Sequence, residues 1–302
     1  MTPNLYWPIY KNIENEFLSI ARTIHIDDKQ LHVYSSKIGE LLLRTVVEIE
    51  SLSKKLFFEN GGEKSSEYEK LMFDKDCLNY LDNKWTLNKK KVIVSSHILY
   101  LEENVNRILR PYKKATSGRL NSDPWLSAYQ SIKHDRVKNL EKSNIKNLIR
   151  ALSGLFLLNV YNLDYKQDLG KDSTPKNIDT SFGSDLFSLL VCSSTAVNVN
   201  GSFKREDNFD ESTILIHATD ESYNQVIKIL KQFNLKMSEY VMATVKKQAE
   251  EGILYKDIKD IEKQINDAKS KAGKDFLELN HKELAKTLEL ISYQAVINKN
   301  QI

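Results

Sequence analysis

The chain is poor in the residues that force turns, with 10 Gly and 5 Pro among its 302 residues. An all-β fold makes a turn about every 8–12 residues and draws on both residue types to do so. Long helices joined by few connections need far fewer such residues. The composition therefore favours a mainly α-helical fold, and a hydrophobic content of 41% is enough for a buried core.

Cysteine is also scarce, because the chain has two cysteines, Cys77 and Cys192, far apart in sequence. Neither belongs to a C-x-x-C pair and no His-rich spacing accompanies them, which argues against a disulfide framework and a structural zinc site. Gly-rich phosphate loops and the common hydrolase and zinc-protease motifs are absent from the sequence. We therefore expect a protein of the reducing cytoplasm that uses no metal and no cofactor.

Long hydrophobic runs are missing as well. The most apolar stretch, Leu152–Leu163, is interrupted by Asn159 and Asn162 and is shorter than the roughly 20 residues that span a bilayer. The N-terminal residues lack the basic segment and apolar core of a secretory signal. The sequence therefore predicts a protein that is neither membrane-embedded nor exported.

The positive charge is concentrated in the middle of the chain. Residues 84–150 contain 15 Lys and Arg against 5 Asp and Glu, although the net charge of the whole chain is +3. Such a surplus indicates an anionic partner, such as RNA or a nucleotide. The alternative is a solvated helical surface that acidic neighbours neutralise after folding, and both interpretations remain open.

Apolar residues recur at helical spacing over most of the chain. The predicted helices are two at the start of the chain (residues 13–31 and 38–56), Lys91–Leu109, one that begins at Asp123-Pro124, a core helix from Ser143, one capped by Thr219 or Asp220, and a C-terminal helical hairpin that turns at Ala272-Gly273. Proline costs no hydrogen bond in the first turn of a helix, which supports the start at Pro124.

Two short apolar runs, Leu186–Cys192 and Thr213–Ala218, predict strands of a small β-hairpin or sheet. The stretch before them is polar and contains Gly170 and Pro175, which indicates a linker or long loop. We therefore predict a helical bundle domain over residues 1–165, a linker over 166–184 and a mixed C-terminal region over 185–302 that packs on the bundle.

The segment from Asp123 to Arg136 is the one that most resembles a functional site. At about 100° per residue, Trp125, Tyr129 and Arg136 share one helical face, and His134 points away from it. Arg136 is expected to stack on Tyr129 and to bind an acidic group. Locking this helix to a neighbour and binding a ligand are both consistent with that position.

Two further polar groups are candidates. Glu40, Arg44 and Glu48 follow one another at intervals of four residues, which predicts an ion-pair ladder on a helix surface. If that helix is buried, Lys133 or Arg136 is expected to neutralise Glu48. The second group consists of basic side chains that are expected to contact phosphates of a substrate: Arg110, Lys113, Lys114 and Arg119.

The segment from Pro124-Trp125 to Lys133-His134-Asp135-Arg136, followed by the apolar helix Ile145–Leu158, resembles the HEPN superfamily of bacterial all-α proteins. The resemblance covers at most residues 35–161. It implies an antiparallel helical bundle, a homodimer and a role in antiviral defence, stress response or toxin–antitoxin systems. Many members are metal-independent endoribonucleases in which an Arg and a His from each protomer meet at the dimer interface.

The usual HEPN nuclease motif has a His four to six positions after an Arg, and no Arg of this sequence has a His at that interval. If the protein cleaves RNA, we expect His134 to act as acid and base and Arg136 or Lys133 to stabilise the charge that develops on the phosphate. The ribose 2′-hydroxyl would be the nucleophile. The alternatives are a non-catalytic helical interaction module, such as a partner subunit in a defence system, and RNA or nucleotide binding without turnover.

Overall fold

The computed structural model describes residues 5–64, 71–113, 124–193, 205–254 and 260–300. Over these residues the protein is mainly helical and carries three small sheets. The α-helices are α1 (Tyr6–Ala21), α2 (Ser36–Glu59), α3 (Leu78–Trp85), α4 (Asn104–Arg107), α5 (Pro124–His134), α6 (Ile145–Tyr161), α7 (Asp220–Glu250) and α8 (Ile261–Leu288). The strands are β1 (Ile26–Asp27), β2 (Val92–Val94), β3 (Leu99–Tyr100), β4 (Ile108–Leu109), β5 (Lys166–Gly170), β6 (Phe187–Leu189), β7 (Val191–Ser193), β8 (Ile214–Ala218) and β9 (Tyr293–Ile297).

Helix α6 forms the centre of the fold. Almost every residue between Ile145 and Tyr161 is buried, and α6 contacts α1, α2 and α5. The helix begins where the side chain of Asn144 accepts a hydrogen bond from the backbone N–H of Asn147 at 3.0 Å. A sequence that is apolar all round predicts a core helix here, and the structure confirms it.

The predicted helix over Lys91–Leu109 is wrong. This segment contains β2, β3, the single turn α4 and β4. Strand β2 pairs antiparallel with β4 on one side and with β6 on the other, so that Val92 lies opposite Leu109 and Leu189. Pairing with a strand far along the chain satisfies the backbone of β2, and this tertiary contact overrides the local helical spacing.

Of the two predicted alternatives, a β-hairpin or a small sheet, the hairpin is wrong and the small sheet is confirmed. Strands β7 and β8 are parallel neighbours in a four-stranded sheet of order β5-β9-β8-β7, and β9 pairs antiparallel with both β8 and β5. The segment predicted as a linker over 166–184 therefore contributes strand β5 to the same sheet as β8. One face of the sheet, with Ile214, Ile216 and Ala295, joins the hydrophobic core of the bundle.

Helices α7 and α8 pack along each other, and we call this pair the arm. Phe233 of α7 and Phe276 of α8 lie with ring centroids 5.2 Å apart, and Tyr240 lies 5.4 Å from Phe276. The predicted C-terminal helical hairpin does not turn at Ala272-Gly273, because α8 runs straight through Gly273. Its two helices are α7, which ends at Glu250, and α8, which begins at Ile261. None of the described helices is long and apolar enough to cross a membrane.

Candidate functional site

Helix α5 attaches to the bundle through its aromatic side chains. Trp125 is 2% exposed, its Nε1 donates a hydrogen bond to the carbonyl oxygen of Pro111 at 2.9 Å, and its ring lies edge-on to Tyr112. Tyr129, one turn further on, is also buried. Both side chains are therefore occupied in holding α5 against its neighbours.

The three predicted catalytic side chains are all exposed. Helix α5 ends at His134, so Arg136 lies beyond the helix and off the face that its spacing predicts. The Nη1 of Arg136 is 4.0 Å from a carboxylate oxygen of Glu40. It is Lys133 that lies over the ring of Tyr129, with Nζ 5.5 Å from the ring centroid. None of the three lines the cleft described below.

The expected ladder of Glu40, Arg44 and Glu48 is replaced by a contact between helices. Nη1 of Arg44 lies 2.7 Å from a carboxylate oxygen of Glu16 in α1, and this pair links α1 to α2. Glu48 is half-buried, and burial raises the pKa of its carboxyl group, against the opposing effect of the Arg44 charge. The exposed ion pair between Arg44 and Glu16 stabilises the fold by about 1 kcal/mol at most.

The basic side chains predicted to bind phosphate do not form one group in the part of the chain that the structure describes. Arg110 forms an ion pair with Glu211 at 2.7 Å, and the same carboxylate forms an ion pair with Lys91 at 2.5 Å. A phosphate would compete with that carboxylate for Arg110. Lys113 is exposed, and Lys114 and Arg119 lie outside the described residues.

A polar cleft lies where the arm leaves the four-stranded sheet. Two adjoining cavities, of about 440 Å³ and about 620 Å³, have Lys166, Asp220 and Gln294 in common as wall residues. They open on one face of the sheet, and Ile216 and Ala295 lie on its other face. We call the two cavities together the root cleft, because they lie at the root of the arm.

Strand register builds the floor of the root cleft. Asp168 of β5, Gln294 of β9 and His217 of β8 lie directly opposite one another, so that they form a row across three strands. Residues paired in this way have Cβ atoms about 5 Å apart. Lys166 lies two residues before Asp168 and therefore on the same side of β5.

Gln294 and His217 form a buried pair within this row. Gln294 is 3% exposed and His217 is 8% exposed, and Nε2 of Gln294 is 3.2 Å from Nε2 of His217. Burial lowers the pKa of the His217 imidazole, against the opposing effects of the Asp220 charge and a hydrogen bond with the backbone of Ala218. The Oε1 of Gln294 has no hydrogen-bond partner among the described residues.

The first turn of α7 forms another wall of the cleft. The side chain of Thr219 caps the helix by accepting from the N–H of Ser222, and the Thr219 N–H donates to the carbonyl oxygen of Ser292 at 2.8 Å. Asp220 and Glu221 follow in the same turn, where carboxylates are favoured by the helix dipole. The hydrogen bonds between Thr219, Ser222 and Ser292 tie the arm to the start of β9.

Sequence reasoning missed this site. His217 can be recognised at the end of an apolar run, but a lone His there is more often structural, and no strand is predicted around Gln294. The alternation in Tyr293-Gln294-Ala295-Val296 is a signal for strand β9, but it does not identify β8 as the partner strand.

The described residues contain no group of three or more His, Cys, Asp or Glu arranged to hold a metal ion. Comparisons of the chain with family models, with curated proteins and with solved structures found no match.

Proposed function

We propose that this protein is a binding protein that takes a small polar ligand in the root cleft. The observation that carries the proposal is Gln294, which lines both cavities and whose buried Oε1 has no hydrogen-bond partner among the described residues. A buried acceptor without a donor costs about 1–3 kcal/mol. A ligand N–H or O–H group that reaches Oε1 would remove that cost, and the favourable contact would contribute to affinity.

The shape and the chemistry of the cleft support the same function. Each of the two cavities, of about 440 Å³ and about 620 Å³, falls within the range of roughly 300–1,000 Å³ found for small-molecule sites. Leu215 and Val296 contribute an apolar floor, and Gln294 and His217 supply the converging polar groups that fix the orientation of a ligand.

A thermal-shift screen tests this function. Amines, carboxylates, phosphates, sugars and nucleosides are each added to the purified protein, and the melting temperature is recorded. We expect one class to raise the melting temperature of the wild type and to have little effect on Gln294→Met, which keeps the volume and removes the acceptor. A screen in which no class stabilises the wild type, or in which Gln294→Met responds equally, would refute the proposal.

Asn159 provides the matched control. It is a fully buried carboxamide in α6 whose Oδ1 also lacks a partner among the described residues, and it lies outside both cavities. We expect Asn159→Leu to change the stability of the protein and to leave the ligand-induced shift as in the wild type.

RNA binding or cleavage is the second candidate function, and the HEPN resemblance suggests it together with a homodimeric bundle. What favours it is the exposure of Lys133, His134 and Arg136 at the end of α5, where a phosphate backbone could reach them, although it would compete with Glu40 for Arg136. Incubation with RNA in EDTA separates the possibilities. Cleavage that His134→Ala abolishes would support a metal-independent nuclease. Binding that weakens steeply with salt, without cleavage, would support an RNA-binding module.

A further inference from the structure

The tautomer of His217 determines which group Gln294 presents to the root cleft. The hydrogen bond with the Ala218 backbone raises the pKa of His217, as expected when a ring N–H is the donor. Because Nε2 faces Gln294, that donor is Nδ1. The unprotonated Nε2 then accepts a hydrogen bond from the Gln294 amide nitrogen. This arrangement leaves Oε1, an acceptor, as the group of Gln294 that remains for a ligand.

The charged groups around Gln294 are mostly acceptors as well. The cavity on the α7 side is lined by the carboxylates of Asp168, Asp220 and Glu221 and by the cationic Lys166. The adjoining cavity adds Asp164 and the cationic Lys299, so carboxylates outnumber cations four to two around the root cleft. The N-terminal end of the α7 dipole adds a partial positive charge, which the carboxylates of Asp220 and Glu221 in the first turn offset. The cavity therefore favours a ligand that carries positive charge and several hydrogen-bond donors.

A metal ion fits this site poorly, because no metal-holding group of three His, Cys, Asp or Glu residues exists among the described side chains. An organic nitrogen cation fits better, since ammonium and guanidinium groups offer three to five N–H donors and no acceptor. We infer that the root cleft binds a small primary amine or guanidinium compound through Gln294 Oε1 and the carboxylates of Asp168 and Asp220. This inference rests on the proposed function and names its ligand class.

Protonation of His217 opposes this binding. A second proton on Nε2 turns the imidazole into a donor, so the Gln294 amide must rotate to offer Oε1 to the ring and its NH₂ group to the cleft. Gln294 of β9 contacts His217 directly, the charges of Lys166 from β5 and Asp220 from α7 act on its imidazole, and Asp168 lies one strand further away, opposite Gln294. A cationic ligand then meets donors and an added positive charge, so its affinity falls as the imidazole protonates.

Isothermal titration calorimetry with 1,4-diaminobutane and methylguanidinium as probes tests the inference at pH 7.5. A lost hydrogen bond to a charged group is worth about 1.5–3 kcal/mol, so Gln294→Met and Asp220→Asn should each weaken binding about tenfold or more. Asp220 is exposed, so Asp220→Asn should fold normally even if Gln294→Met does not. Asp267→Asn removes the same charge from an exposed position on α8, away from the cleft, and should leave the affinity within about twofold.

Two further measurements distinguish the contribution of hydrogen bonding from that of charge. Fully N-methylated diaminobutane keeps both charges and has no N–H donor, so it should bind at least about tenfold more weakly than the parent compound. The affinity for diaminobutane should also fall as the pH is lowered from 7.5 to 5, and this fall should be smaller in His217→Gln. Equal binding of the methylated analogue, or an affinity that Asp220→Asn leaves unchanged, overturns the inference.

The result also distinguishes this inference from the proposed function. If neither cation binds and another class of compound stabilises the wild type through Gln294, the ligand class is wrong and the binding function stands. If no compound binds, both are refuted.

Discussion

Lys90 is the most strongly perturbed cation among the described residues, and its replacement tests the electrostatics of the fold. The side chain is 0% exposed, and its Nζ donates to the carbonyl oxygen of Ser212 at 2.9 Å. Burial lowers the pKa of the Lys90 ammonium from 10.5 to about 8, against the opposing charge of Asp210. A shift of this size corresponds to about 3 kcal/mol by which folding disfavours the charged amine.

Lys90→Met keeps an unbranched side chain and removes the charge. The Ser212 carbonyl oxygen keeps a hydrogen bond from Nδ2 of Asn298 at 3.0 Å, so the substitution leaves no acceptor unpaired. After subtraction of about 1 kcal/mol for the lost Lys90 hydrogen bond, we expect the variant to be more stable than the wild type by about 2 kcal/mol at pH 7.

The pH dependence has a definite sign. Below pH 8 the Lys90 amine is charged in both the folded and the unfolded state, and the full cost of burying the charge is present. Between pH 8 and pH 10.5 the folded state has lost the proton and the unfolded state retains it, so wild-type stability rises with pH relative to the variant. The stability difference should therefore move by about 3 kcal/mol in favour of the wild type across this window, so that the advantage of Lys90→Met disappears and the wild type becomes the more stable by about 1 kcal/mol.

Urea denaturation followed by circular dichroism, at several pH values between 7 and 10, measures this difference. Lys89→Met is the control, because the neighbouring lysine is half-exposed and its removal should produce no such pH-dependent gain. A Lys90→Met variant that is less stable than the wild type at pH 7, or a stability difference that stays constant with pH, would refute the reasoning.

Three other substitutions test the packing and the exposed end of α5 by the same denaturation assay. A Cβ at Gly39 would lie 2.6 Å from the Oγ of the buried Ser143, so Gly39→Ala should destabilise the protein by about 1–3 kcal/mol, and adding Ser143→Gly should recover much of the loss. Trp125→Phe leaves the Pro111 carbonyl oxygen without its donor and should cost about 1–3 kcal/mol, whereas no loss would mean that water replaces the indole. His134→Ala should change stability by less than about 0.5 kcal/mol, and a larger loss would reveal a structural role for the imidazole.

The helices of the bundle could be predicted from the sequence because their signals are local. The apolar residues of α6 follow one another within 17 residues, and its cap, Asn144, directly precedes them. The aromatic residues of α5 also follow a local pattern, which places Trp125 and Tyr129 on its buried side. The predicted helix is too long, however, because α5 ends at His134, and Arg136 is therefore wrongly placed on the same face.

The strands and the root cleft could not be predicted in this way, because their partners are distant in sequence. His217 and Gln294 meet across 77 residues, and the spacing within either segment carries no information about the other. Residues 94–108 show a helical spacing of apolar side chains, yet the strands of this segment are extended because β2 pairs with β4 and β6, and β3 pairs with β1. Gly273 resembles a turn signal, but an interior glycine costs a helix only about 1 kcal/mol, which the packing of α7 on α8 offsets.

The position of β9 between β5 and β8 has a consequence for the order of folding. Neither β5 nor β8 can pair with β9 until the ribosome has synthesised the whole arm that separates β8 from β9 in sequence. During that interval β8, with five buried residues, has an unpaired side and exposes apolar surface that favours aggregation. The arm can form its own helices early, since its contacts are local, so it is expected to fold before the sheet at its root.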